Sequence, residues 1–180
     1  DLLQPIPPAD WGSEMPKMAR LLRRLGPPLG KYAFLGDTDW HLSRMDSSEL
    51  GGMVLLCSRE VSLEYPGGEI AVLGLTLRES RQPTVETLRV IERFAEREAF
   101  TIVAGHAPDY TLQMRNLPVD LCLAGHTHGG QVRLPFIGPL LTGSRIPRNW
   151  SSGYRNVGQT RINVSAGVGC EHAGNVPPIR

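Results

Sequence analysis

The sequence predicts one α/β domain, on three observations. Its 180 residues, 41% hydrophobic and 21% charged, are enough to bury a real core. Short apolar runs of strand character alternate with stretches of helical periodicity. Three of those apolar runs stop in the same way, at a glycine followed by Asp or His.

Taken in order, the Pro-rich opening "DLLQPIPPADWG" reads as a loop. Ser13 is placed to cap a helix running to about Leu25, with Met15, Met18, Leu21, Leu22 and Leu25 at helical spacing. Lys17, Arg20, Arg23 and Arg24 then cover its outer face, most often a solvated face, with a membrane-surface or anionic-partner role as the minority reading. "GPP" stops the helix, and "KYAFLG" is a short buried strand that runs into "DTDWH". "MVLLCS" and "REVSLEY" are strands, and "PGG" at 66–68 turns the second into "EIAVLGLTL". Pro83 to about Arg97 is an amphipathic helix with Val85, Leu88, Ile91 and Phe94 on one stripe. "FTIVAG" is a buried strand, "DYTLQMRNL" a short helix and "DLCLAG" a further strand. A Gly/Pro-rich loop from Gln131 to Gly153 leads to two paired strands, "GYRNV" and "TRINVSAG", around Gly158-Gln159.

Composition narrows the function classes. A formal net charge of +1, from 19 basic and 18 acidic side chains, gives no whole-protein reason to expect nucleic acid. Cys57, Cys122 and Cys170 are far apart and odd in number, which fits buried free thiols rather than a disulfide framework or a zinc knuckle. No apolar run approaches the roughly 18 residues of a membrane span, and no signal-peptide pattern opens the chain. The chain starts at Asp1 without Met and stops at "PPIR", so both ends are expected to lie inside a longer protein.

The chemistry is concentrated at the strand ends. "YAFLG" runs into Asp37 and Asp39, "TIVAG" into His106, and "LCLAG" into His126 and His128. Ligands of α/β sheets gather beyond the carboxyl ends of the strands. Neutral imidazole and carboxylate suit Zn, Mn and Fe. A single histidine in this setting is more often a surface or core residue, but three strand ends of one type point to a metal site. The glycine before each ligand is expected to let the backbone turn. If Thr127 continues the strand, His126 and His128 share a face.

These residues carry a resemblance. "AGHTHGGQ" resembles the last metal-binding motif of the calcineurin-like metallophosphoesterases, and "AGHAPD" their preceding single-histidine motif. "LGDTD" stands where that family has Gly-Asn-His followed by Asp or Glu. The tail "INVSAGVGCEHAGNVPPIR" looks like the end of its bacterial branch, whose members often act at membranes or on envelope phosphoesters. The resemblance implies a β-sandwich flanked by helices, incomplete here at the N-terminus, with residues 1–180 forming one metallophosphoesterase domain. It implies two divalent ions, Mn, Zn or Fe. His106 and His126 would bind one, His128 the other. Asp1 of "DLLQ" would be the bridging carboxylate, with Gln4 where the family has Asp or Asn. The family's first motif, Asp-x-His, is missing from these residues.

Asp37 stands in the place of a metal-binding asparagine and adds negative charge. Thr38 stands in the place of the histidine that assists the reaction, and a threonine hydroxyl is no general acid near neutral pH. Asp39 fits the closing acid and is expected to orient a neighbour. The resemblance therefore implies hydroxide attack, assisted by two metals, on a phosphodiester or pyrophosphate. Arg133 and Arg145, in the long loop that also carries Arg148, are candidate substrate contacts. That loop's Leu134, Phe136, Ile137, Leu140 and Leu141 either pack on the core or, if exposed, suit a lipid-linked substrate or a membrane surface. Gly129 and Gly130 are expected to keep the rim low. Two alternatives stay open: a phosphomonoesterase with His41 as acid, and a non-catalytic relative that binds a partner or a phosphorylated ligand.

Overall fold

The computed structural model describes residues 9–130, 133–134 and 136–167. Asp1, Gln4, Cys170 and the tail from residue 168 lie outside the described residues. Helix α1 spans Trp11–Arg24. Strands β1 (Lys31–Ala33) and β2 (Met53–Leu55) pair in parallel as a small sheet. Between them lies a 3-10 turn at Trp40–Arg44.

The large sheet is built from β3 (Arg59–Tyr65), β4 (Gly68–Gly74), β5 (Phe100–Ala104) and β6 (Leu121–Ala124). A minute hairpin of β7 (Arg133–Leu134) and β8 (Gly138–Pro139) precedes its last two strands, β9 (Gly153–Val157) and β10 (Thr160–Val164). Its order is β3-β4-β5-β6-β10-β9. β4, β5, β6 and β10 run parallel, and β3 and β9 close the edges antiparallel. Four strands therefore deliver their carboxyl ends to one edge. Helices α2 (Leu77–Arg81) and α3 (Val85–Ala95) follow β4, and a 3-10 helix at Pro108–Asn116 follows β5. This mixed sheet flanked by helices, with a second small sheet beside it, is consistent with the calcineurin-like fold. Among the described residues no helix is long and apolar enough to cross a membrane.

Two apolar clusters hold the layers. Ile91 and Phe94 of α3, with Tyr110 and Met114, bury Leu73, Val103, Cys122 and Ile162 of the large sheet. Met15 of α1 packs with Leu42, Leu50 and Met53 under the small sheet. The thiol of Cys122 is fully buried and its pKa is pushed up to about 12 by that burial, so it is an inert core group. Cys57 is free and half-buried.

Several local expectations are corrected. α1 begins two residues before Ser13, because Asp10 accepts from the Ser13 N–H and Ser13 closes a capping box from the N3 position. Its buried stripe is Met15 and Ala19, with Met18 and Leu22 beside them, while Leu21 and Leu25 face water. In α3, Val85 on the first turn is exposed, and Thr87 and Ala95 join Ile91 and Phe94 inside. "EIAVLGLTL" stops being strand at Gly74, since Thr76 and Glu79 form a capping box that starts α2. Gly129 and Gly130 are buried packing positions rather than a low rim. Gly130 has φ +72°, and a Cβ there would stand 2.1 Å from the Pro139 Cβ.

The large sheet closely approaches the end of the small one at Gly74, where a Cβ would stand 2.4 Å from the carbonyl oxygen of Leu56, the residue after β2. A backbone atom cannot yield as a side chain does. Gly74→Ala should therefore cost roughly 1–3 kcal/mol in urea unfolding. Gly26→Ala, with nothing within 4 Å of the new methyl, should change stability by less than about 0.5 kcal/mol. Equal losses at both positions would show that the sheets are not in contact there.

Candidate metal centre

The sheet edge brings together three of the residues named from the sequence. Asp37 follows β1, His106 follows β5 and His126 follows β6. His106 Nε2 lies 3.2 Å from His126 Nδ1. Asp37 Oδ2 lies 3.1 Å from His126 Nδ1 and 3.8 Å from His106 Nε2. Donors about 2.1 Å from one ion are about 3.0–3.4 Å apart, so the three atoms fit around a single divalent cation with sub-ångström adjustment.

The histidines are held in ligand-competent form. His106 is buried, and burial first, with the His126 imidazole adding to it, holds its pKa well below the ordinary 6.5, against the opposing pull of the Asp37 and Asp39 carboxylates. A neutral imidazole keeps a lone pair for a metal. His126 Nε2 lies 3.1 Å from the Gly143 carbonyl oxygen. Donating Nε2–H to that carbonyl leaves Nδ1, the nitrogen facing Asp37 and His106, as the free donor. A carbonyl partner behind a ligating imidazole is the usual means of fixing its tautomer. Gly143 permits the approach, since it has φ +64° and a Cβ on it would lie 3.1 Å from His126 Nε2.

The path of the chain through the H-x-H pair differs from the expected extended strand. β6 ends at Ala124, and His126 and His128 adopt φ +67° and +48°. The chain coils because the Thr127 N–H bonds to the Gly125 carbonyl at 2.8 Å and the Gly130 N–H to the Thr127 carbonyl at 2.7 Å. Thr127 turns inward and donates its hydroxyl to the Ser151 carbonyl at 2.5 Å. Gly105 and Gly125, expected to supply the sharp turns, are not in the left-handed region. Gly105 is instead a close-approach position, 2.7 Å from the Ser80 Cβ once a Cβ is added.

His128 stands outside the three-residue cluster. Its Nδ1 is buried and has no hydrogen-bond partner among the described residues. An orphaned buried nitrogen of this kind fits a second ion nearby. Asp39 is buried, and its carboxylate accepts the Gly36 N–H at 2.9 Å, shaping the turn that presents Asp37. His41 packs its ring on Trp11, with centroids 3.5 Å apart. Arg133 donates to the Gly129 carbonyl at 2.7 Å and lines a separate hollow with Phe136 and Ile137. Arg145 and Arg148 line a cleft of about 480 Å³ that also touches Gly143 and Arg81. Of the loop's apolar residues, Leu134, Phe136, Ile137 and Leu141 are exposed.

Three residues of this site were not singled out from the sequence. Asp109, the last residue of "AGHAPD", is buried and accepts from Ser144 Oγ and the Arg145 N–H, both at 2.8 Å, anchoring the loop that carries Gly143. Arg81 Nη2 bonds Asp37 Oδ2 at 2.5 Å and lies 3.0 Å from His126 Nε2. Ser80 beside it is fully buried and its Oγ accepts the Ala107 N–H at 3.2 Å. The signal that would have found Ser80 and Arg81 is the parallel direction of β4, which sends "TLRESR" to the same edge as the histidines.

Curated relatives bear on the family. The chain is 32% identical over 157 residues to the uncharacterized metallophosphoesterase YkuE of Bacillus subtilis, covering 83% of the chain and 52% of that protein. The family is thereby settled. This chain belongs to the metallophosphoesterases. It is also 26% identical over 180 residues to the uncharacterized metallophosphoesterase YkoQ of the same species, covering 88% of the chain and 65% of that protein. The phosphodiesterase YaeI of Escherichia coli is 40% identical over 68 residues, 38% of this chain and 25% of that one. The chain thus spans about half the length of YkuE and 65% of YkoQ. No family model and no solved structure matches it.

The depressed pKa of His106 has a thermodynamic consequence. As the pH falls below about 6.5 the unfolded imidazole takes up a proton that the folded one does not. Stability is therefore intact above about pH 6.5 and falls as the pH drops below it. With chelator present, urea unfolding should show a decline from this group of roughly 1–2 kcal/mol between about pH 7 and about pH 5, and His106→Gln should flatten it. An equal decline in both proteins would show that the ring is not held neutral.

Proposed function

We propose that the protein is a divalent-metal-dependent hydrolase of phosphodiesters or pyrophosphates. The observation that carries this reading is the triangle of Asp37, His106 and His126, whose donor atoms are spaced as ligands of one ion. These three would hold the first ion. His128, with its orphaned Nδ1, would hold a second, with Asp1 outside the described residues as the proposed bridge. When bound, divalent ions supply Lewis acidity at phosphoryl oxygens and a nucleophile drawn from water near neutral pH.

The chain's own residues do the rest. Asp39 fixes the turn that points Asp37 inward, and the Gly143 carbonyl sets the His126 tautomer. Arg145, in the cleft beside the triangle, is the better placed of the two proposed substrate contacts, because Arg133 is turned to the Gly129 carbonyl. Thr38 supplies no proton, so a leaving group that is already acidic is favoured. The alternative acid, His41, has its ring packed on Trp11, which argues against a phosphomonoesterase that depends on it. The exposed Leu134, Phe136, Ile137 and Leu141 support a lipid-linked substrate or contact with a membrane surface.

With Mn²⁺ the intact protein should hydrolyse bis-p-nitrophenyl phosphate faster than glycerol phosphate. His106→Asn and His126→Asn should each lower that rate by more than the roughly 10- to 100-fold typical of outer-shell partners. A preference for glycerol phosphate would reject the diesterase reading. Full activity in either histidine variant would reject the site.

A further inference from the structure

The Asp37 carboxylate raises a difficulty for the proposed substrate. A phosphoester arriving at the triangle meets an extra negative charge a few ångströms away. The structure places a cation against that charge. Arg81 Nη2 is bonded to Asp37 Oδ2 at 2.5 Å, and the same nitrogen is 3.0 Å from His126 Nε2. With Gly143 also bonding Nε2, that nitrogen is best taken as the proton carrier, so the Arg81 contact there is a close approach and Asp37 is its bonded partner.

Arg81 is not a loosely placed surface arginine. It ends α2, whose start is fixed by the Thr76 and Glu79 capping box. Its neighbour Ser80 is buried and tied to Ala107, one residue past His106. Gly105 makes room for Ser80 by lacking a Cβ. The helix end that carries the arginine is thus tied to the loop that carries His106. Its Nε is buried and has no partner among the described residues. Its side chain is 42% exposed and lines the cleft it shares with Arg145 and Arg148. The cleft is lined by these three arginines and by one acid, Asp109, whose carboxylate is engaged by Ser144 and the Arg145 N–H, so its charge balance is cationic by count.

We infer that Arg81 is a substrate-binding residue: its guanidinium neutralises Asp37 through one N–H and donates others to a non-bridging oxygen of the phosphoryl group held at the triangle. This rests on the phosphoesterase reading above. A guanidinium carries five donors in a fixed fork, and Asp37 takes one of them. It does not release a proton at working pH, so it stabilises charge on the phosphoryl oxygens and gives the leaving group no help. The proposal therefore explains how a site with a carboxylate at position 37 admits an anionic substrate while still favouring acidic leaving groups.

The test uses Arg81→Gln and Arg81→Lys in the intact protein. Calorimetry reads Mn²⁺ binding, and then inorganic phosphate binding to the Mn²⁺-loaded protein. Turnover of bis-p-nitrophenyl phosphate is followed in parallel. Arg81→Gln should bind Mn²⁺ no more weakly than wild type, because it removes a competing cation from Asp37. It should bind phosphate roughly 10- to 100-fold more weakly and lose roughly 100-fold or more in kcat/KM. Arg81→Lys, which keeps the charge but not the fork, should fall between. If Arg81→Gln instead loses Mn²⁺ while its loaded form binds phosphate as wild type does, Arg81 only holds Asp37 and His126 in place and the proposal fails. It fails also if phosphate affinity and turnover are unchanged. A wild-type protein that binds no Mn²⁺ would overturn the phosphoesterase reading itself, and the proposal with it.

Discussion

The backbone ladder between the parallel strands does not stop where the strands stop, and the site depends on that continuation. The Leu75 N–H bonds to the Ala104 carbonyl, Gly105 to Leu123, Gly125 to His106 and Ser165 to Ala124, all at 2.7–3.0 Å. The Gly125–His106 bond ties two of the proposed ligand loops directly to each other. Beneath it, the Tyr110 hydroxyl lies 2.9 Å from the carbonyls of both Val103 and Leu123, bracing β5 against β6 from the core. Metal sites need ligands held to within a fraction of an ångström. Here that tolerance comes from peptide hydrogen bonds and not from long side chains.

The same rigidity accounts for the strained residues. Two histidines in the left-handed region cost roughly 1–2 kcal/mol each relative to ordinary backbone. The cost is borne because Thr127, between them, is buried and bonded to Ser151, and because Gly130, packed against Pro139, takes the left-handed turn that follows. Left-handed conformations of residues other than glycine cluster at functional sites. In this chain four such residues occur among those described, and two of them are His126 and His128.

Most of the fold was legible because its signals are local. Apolar runs marked β1 to β6, β9 and β10, and the Gly158-Gln159 turn marked the β9–β10 hairpin, where a Cβ on Gly158 would reach the Arg115 carbonyl at 2.1 Å. The convergence of Asp37, His106 and His126 was legible as well, from three strand ends of one type. What stayed hidden depends on tertiary contacts. The coil of the H-x-H segment is closed by local turn bonds but anchored by Thr127 to Ser151, which is distant in sequence. Asp109 becomes an anchor only because the loop at 142–146 folds onto it. Arg81 looked like one of 19 basic residues, and only the parallel register of β4 beside β5 gives it a partner in Asp37. α2 was hidden by the apolar run before it, which masked the cap at Thr76.

The proposed function stands on three side chains from two sheets that converge to hold a cation. Anomalous diffraction at the manganese edge, from crystals of the intact protein grown with Mn²⁺, tests it most directly. A strong peak bounded by Asp37 Oδ2, His106 Nε2 and His126 Nδ1 is expected, with a second peak on the His128 side. Manganese found only on surface acids, with no peak inside that triangle, would contradict it.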